Sequence, residues 1–192
     1  MAESPALDRM RSWVFTTFGG YAIGFVLAVV LIIAADSIGI PSKAPLGIGM
    51  GLGVGLAQRP LARQYIGSGN GWLWSYVAGL TLPMFAYDVA RLFLPTLDVH
   101  IAAFVLIGGA LTGVLQWRLL RARLSNAVWW IPAMTVAWSI AGALVVVSDR
   151  YLPKIPGIIG ALLYISMILF GGVVVGLTQR ALLQRYVRTA PA

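Results

Sequence analysis

Three glutamines stand out as the residues best placed to do chemistry in this chain. Gln58, Gln116 and Gln179 each follow the same pattern, G-x3-G-x2-Q-x2-L, carried by Gly51, Gly55 and Leu61, by Gly109, Gly113 and Leu119, and by Gly172, Gly176 and Leu182. A primary amide offers two donors and one acceptor oxygen and no titratable proton, so it binds and orients rather than catalyses. Two uses are open to such a set. The amides can lock the register of packed helices, at ~0.6 to 2 kcal/mol each, or they can form a polar ring that coordinates an ion, a small solute or a lipid headgroup.

Other chemistry is thinly supplied. The chain has one histidine, His100, and no cysteine, so thiolate ligands and disulfides are excluded. His100 with Asp36, Asp88, Asp98 and Asp149 is a chemically permissible ligand set, but these residues are scattered along the sequence. Asp88 lies three residues before Arg91, a spacing that places the two on one helix face and favours a local ion pair. A proton or cation relay through Asp88 is the alternative, with no second carboxylate at the membrane midplane to continue it. No nucleophile with its base, no paired carboxylates and no metal set are found, so the expectation is a non-enzymatic protein with no catalytic residue, no metal and no cofactor indicated. The glycine-rich stretch GIGMGLGVGLAQRP, Gly47 to Pro60, lacks the lysine of a phosphate loop and the acidic residue of a dinucleotide fingerprint.

The elements that must position the glutamines follow from composition. Of 192 residues, 59% are hydrophobic and 10% charged, with a mean hydropathy of +0.87; an ordinary soluble domain has roughly 25% charged residues. The balance is that of a bilayer protein. Uncharged runs cover Trp13 to Ala35, Ala44 to Gln58, Gln64 to Tyr87, Ile101 to Trp117, Leu124 to Ser148 and Ile155 to Gln179. A span needs roughly 20 such residues, so six transmembrane helices are expected, the short second one borrowing residues beyond Arg59. With the N-terminus inside, ten basic and two acidic residues face the cytoplasm, net +8, and four of each face outward, net zero. By the positive-inside rule both termini are expected to be cytoplasmic, which reads as an inner-membrane protein of one transmembrane domain over 1–192. The basic residues at the inner ends, Arg118, Arg121, Arg123, Arg180, Arg185 and Arg188, read first as topogenic charge and second as contacts for anionic lipid or an acidic partner. No nucleic-acid motif accompanies them.

The glutamines lie 58 and 63 residues apart, one helical hairpin per period. Three tandem hairpins are expected, approximately 12–66, 67–123 and 124–188, with pseudo-threefold symmetry. Gly51, Gly55 and Gln58 fall on one helix face, extended by Gly47, and such a stripe lets helices approach closely. Gly49 and Gly53 fall off that stripe, so the second helix is expected to be clasped on two sides. Asn70 and Trp74 match Asn126 and Trp130 in spacing, with Trp13 in a similar place; an aromatic belt is the first expectation for these tryptophans, a pigment or quinone stacking surface the second. Pro83 and Pro132 should kink the third and fifth helices.

The G-x3-G-x2-Q-x2-L hairpin resembles a repeat of uncharacterised multi-pass bacterial membrane proteins, in which tryptophan often follows the glutamine, as Trp117 follows Gln116 here. Arg59 and Arg180 replace that tryptophan in the first and third units. The resemblance implies a repeat-built membrane bundle and no particular activity. The expected function is therefore that of an accessory or scaffold subunit holding other membrane proteins, lipids or a hydrophobic cofactor. The alternative is a small transporter or channel with an axial site near Gln58, Gln116 and Gln179.

Overall fold

A computed structural model describes residues 5–187 apart from 123, 125 and 156, and the side chains of 5–11, 153, 186 and 187 also lie outside the description. The described chain forms six long helices, α1 (Pro5–Ser37), α2 (Ala44–Ile66), α3 (Gly69–Phe93), α4 (Ile101–Leu120), α5 (Trp130–Tyr151) and α6 (Gly157–Val187), with short 3-10 turns at Ala127–Trp129 and Leu152–Lys154. Each helix packs on the next, and α6 returns to pack on α1, so the contacts close into a ring. Four helices, α1, α4, α5 and α6, are long and apolar enough to cross a membrane. The α2 and α3 helices are of similar length, 23 and 25 residues. They are less apolar because their inward positions carry glycine in α2 and Ser75, Tyr76 and Trp72 in α3.

The helix ends follow local chemistry. The α2 helix runs through Arg59 and Pro60 to Ile66 and stops at Gly67, whose φ of 69° needs a residue without Cβ. Its first turn has no side-chain cap of its own at Lys43. Asp88, reaching over from α3, supplies one: it accepts from Ser42 Oγ at 2.6 Å and from the backbone N–H groups of Lys43 at 3.0 Å and Ala44 at 2.9 Å. The expected pair with Arg91 is not formed among the described contacts; the Arg91 guanidinium lies 5.9 Å from the Tyr87 ring centre. An N-terminus with unpaired N–H groups and a partial positive charge takes the carboxylate instead. Pro132 sits in the first turn of α5, where no N–H is needed, so the kink expected there has no cause.

The alternating glycines of α2 do clasp two neighbours. A methyl group added at Gly47 would lie 2.6 Å from Leu80 O, and one at Gly51 2.7 Å from Val77 Cα, both on α3. Gly49 and Gly53 are pressed against Ala28 and Gly24 of α1. The small surface of α2 is therefore consumed inside the fold, against α1 and α3. In α4 and α6 the equivalent glycines seat large side chains: Gly109 abuts Trp138, and a methyl at Gly172 would lie 2.6 Å from Tyr21 Cγ. The glycine stripes thus face the next helix around the ring rather than converging on its axis.

Candidate functional site

At the axis, near the end of the bundle that holds the starts of α1, α3 and α5, the three glutamines are fully buried. Each accepts a hydrogen bond from an indole. Trp72 Nε1 donates to Gln58 Oε1 at 2.7 Å, Trp130 Nε1 to Gln116 Oε1 at 3.0 Å, and Trp13 Nε1 to Gln179 Oε1 at 2.9 Å. Gln58 Nε2 then donates to Gln179 Oε1 at 2.8 Å and to Thr17 Oγ1 at 2.6 Å. Gln179 Nε2 donates to the Tyr76 hydroxyl at 2.6 Å, which faces all three amides. The network is asymmetric. Gln116 Nε2 is buried without a partner.

The three tryptophans continue the site as an edge-to-face chain, with Trp72 centred 5.8 Å from Trp13 and 5.7 Å from Trp130. Residues one turn farther on, Thr17, Tyr76 and Met134, are equally buried and fill the same layer. A buried amide is most stable when its donors and acceptor are met, and those of Gln58 and Gln179 find partners among side chains from α1, α2, α3 and α6. The result is a plug in which indole and amide groups bond one another, with the Gln116 amide nitrogen left over.

The belt expected for Trp13 and Trp130 is a misreading of their depth, since both are buried. The match of Trp74 to Trp130 is also two residues out of register. Counting the 58-residue glutamine period back from Trp130 gives Trp72, and back from Asn126 gives Ser68; Asn126 and Ser68 are the residues that precede their helices. Trp74 and Trp129 are the exposed members, 61% and 63%. Thr17 and Tyr76 were not singled out as partners of the glutamines, although each lies four residues after a hub tryptophan.

The remaining expected residues lie elsewhere. Arg118, Arg121 and Arg185 are exposed and Arg180 half-buried near the plug end of the bundle; the Arg121 guanidinium lies 5.2 Å from the Trp117 ring centre. Arg123 and Arg188 fall outside the described residues. At the opposite end His100 Nδ1 accepts from the Ala102 N–H, which leaves its Nε2 3.3 Å from Asp149 Oδ2. No group of three or more potential metal ligands gathers among the described residues. No family model, curated protein or solved structure matches the chain.

Proposed function

We propose that this chain is a non-enzymatic inner-membrane scaffold, made of six spans with both termini cytoplasmic and three hairpin units about a pseudo-threefold axis sealed against passage. The observation that carries the reading is the buried, hydrogen-bonded hub of Gln58, Gln116 and Gln179 with Trp72, Trp130 and Trp13. Each indole and its amide belong to different units, so the bonds stitch one hairpin to the next and the last to the first. Conduit linings keep hydrated polar groups turned to a water path. These amides are turned to one another and to indoles instead, which favours a structural lock over a pore.

A rigid closed ring with an apolar outer wall is suited to holding its neighbours, whether lipids or the helices of other subunits. Phe15, Val26 and Ile33 on α1 and Ile158 and Ile159 on α6 are exposed, as lipid- or partner-facing positions should be. The charge asymmetry supports the orientation, and the exposed arginines of the plug end suit anionic headgroups. Extraction from the native membrane in mild detergent, followed by mass spectrometry of everything retained at stoichiometric level, tests the scaffold role. A retained subunit or lipid supports it, and a bare protein in every detergent counts against it.

A further inference from the structure

The hairpin of α5 and α6 is a wedge. Near the middle of both helices it is closed, and a methyl group added at Gly171 would lie 3.1 Å from Ala141 Cβ. Toward the plug end the helices part around an open groove of about 600 Å³. Its α5 wall is one stripe from Trp129 through Ala133 and Val136 to Ile140, and its α6 wall runs down to Leu182 and Arg185. The first hairpin is shut at this level. There Gly20, seven residues after Trp13, sits against Val54 and against Ala57, the residue before Gln58. The matching places in the third hairpin, seven residues after Trp130 and one before Gln179, hold Ala137 and Thr178, which both line the groove. Larger side chains at the crossing keep the helices apart, so the groove is written into the third unit.

The groove is apolar along its length and polar at its mouth. Val136 and Ile140 are exposed large hydrophobic residues on the stripe, while Asn126 and Arg185 stand at the open end. No acidic side chain lines it. Among the described side chains the carboxylates are those of Asp36, Asp88, Asp98 and Asp149, all at the opposite end of the bundle. The start of α5 lies at the mouth and adds its partial positive charge. An anion suits the mouth and a hydrocarbon chain suits the stripe, so the occupant is an amphiphile. From Trp129 to Ile140 the stripe is roughly 16 Å long, half of the roughly 30 Å hydrocarbon core of a bilayer. It spans one leaflet.

We propose that this groove holds one anionic phospholipid of the leaflet at the plug end, its phosphate at Arg185 and Asn126 and one acyl chain laid along Val136 and Ile140. A guanidinium and a neutral amide both donate to phosphate oxygens. Trp129, with an apolar body and a polar N–H, suits the level between headgroup and chain. A spanning helix of another subunit is a poorer occupant, because it needs a face that continues across the bilayer, and this one closes at Ala141 and Gly171. A small soluble anion would use the mouth and leave the stripe uncovered. The inference names a ligand for the scaffold proposed above and rests on that reading.

The test is native mass spectrometry of the purified full chain in mild detergent, titrated with dioleoylphosphatidylglycerol or with dioleoylphosphatidylcholine, which carries the same tails on a zwitterionic headgroup. The first phosphatidylglycerol should bind about fivefold more tightly than the first phosphatidylcholine. Arg185→Gln should abolish that preference, and Arg185→Lys, which keeps the charge, should retain most of it. Arg118→Gln, exposed at the same end but off the groove, should leave it unchanged. Ala133→Phe, which fills the stripe, should weaken both lipids. Equal binding of the two lipids, an equal response to Arg185→Gln and Arg118→Gln, or displacement of the lipid by millimolar inorganic phosphate overturns the proposal. The exposed arginine variants keep the test decisive if Ala133→Phe does not fold. Lipid or a subunit retained without any response to Arg185→Gln removes the groove and leaves the scaffold; a chain that retains neither removes the scaffold reading as well.

Discussion

Trp13 and Gln179 are 166 residues apart, and the indole of one donates to the amide oxygen of the other at 2.9 Å. This bond ties the first helix to the last, across the contact that closes the ring of helices. Trp13→Phe keeps an aromatic ring and deletes the donor. It should lower unfolding stability by ~1 kcal/mol in a detergent denaturation series, while Trp74→Phe, at an exposed position, should change nothing measurable.

The three glutamines should not be equivalent. Gln58→Leu strands Trp72 Nε1 and removes donors to Thr17 and Gln179, and should destabilise by ~1 to 3 kcal/mol. Gln116→Leu removes one indole bond together with an unpartnered amide nitrogen. Its effect should be less than half as large, and equal effects at the two positions would contradict the asymmetry of the hub.

Glycine substitutions should sort by what the added methyl meets. Gly53→Ala drives a methyl into the backbone of Gly24, and Gly109→Ala into the Trp138 ring; each should destabilise by ~1 to 3 kcal/mol through overpacking. Gly19→Ala meets nothing within 4 Å and should be neutral or slightly stabilising, since alanine is the better helix former. Thermal unfolding of the three variants in one detergent checks the order.

Asp88→Asn should weaken the start of α2 by ~0.5 to 2 kcal/mol, because an amide replaces a carboxylate that caps two backbone N–H groups and binds Ser42. Arg91→Ala should have a smaller effect. Hydrogen exchange at Lys43 and Ala44 reports the capping directly.

Much of this was legible in the sequence because the glycine and glutamine pattern is local. Gly51, Gly55 and Gln58 announce a small face ending in an amide, and that much survives in the fold. The sequence does not announce what the face meets. Gly109 receives Trp138 and Gly172 receives Tyr21, pairings set by the ring rather than by spacing within a helix. Tryptophan near a helix start reads as an interfacial anchor, and only tertiary packing separates buried Trp72 from exposed Trp74, two residues on. Asp88 beside Arg91 looked self-sufficient, yet the unpaired N–H groups of a neighbouring helix end were the stronger partner.

The sealed axis is tested most directly by flux. Reconstituted in liposomes, the protein should leave potassium and small-dye retention at the level of protein-free vesicles, and the triple variant of Gln58, Gln116 and Gln179 to leucine should do the same. A protein-dependent leak that the triple variant abolishes, while remaining folded, would contradict the seal and make the glutamines the lining of a conduit.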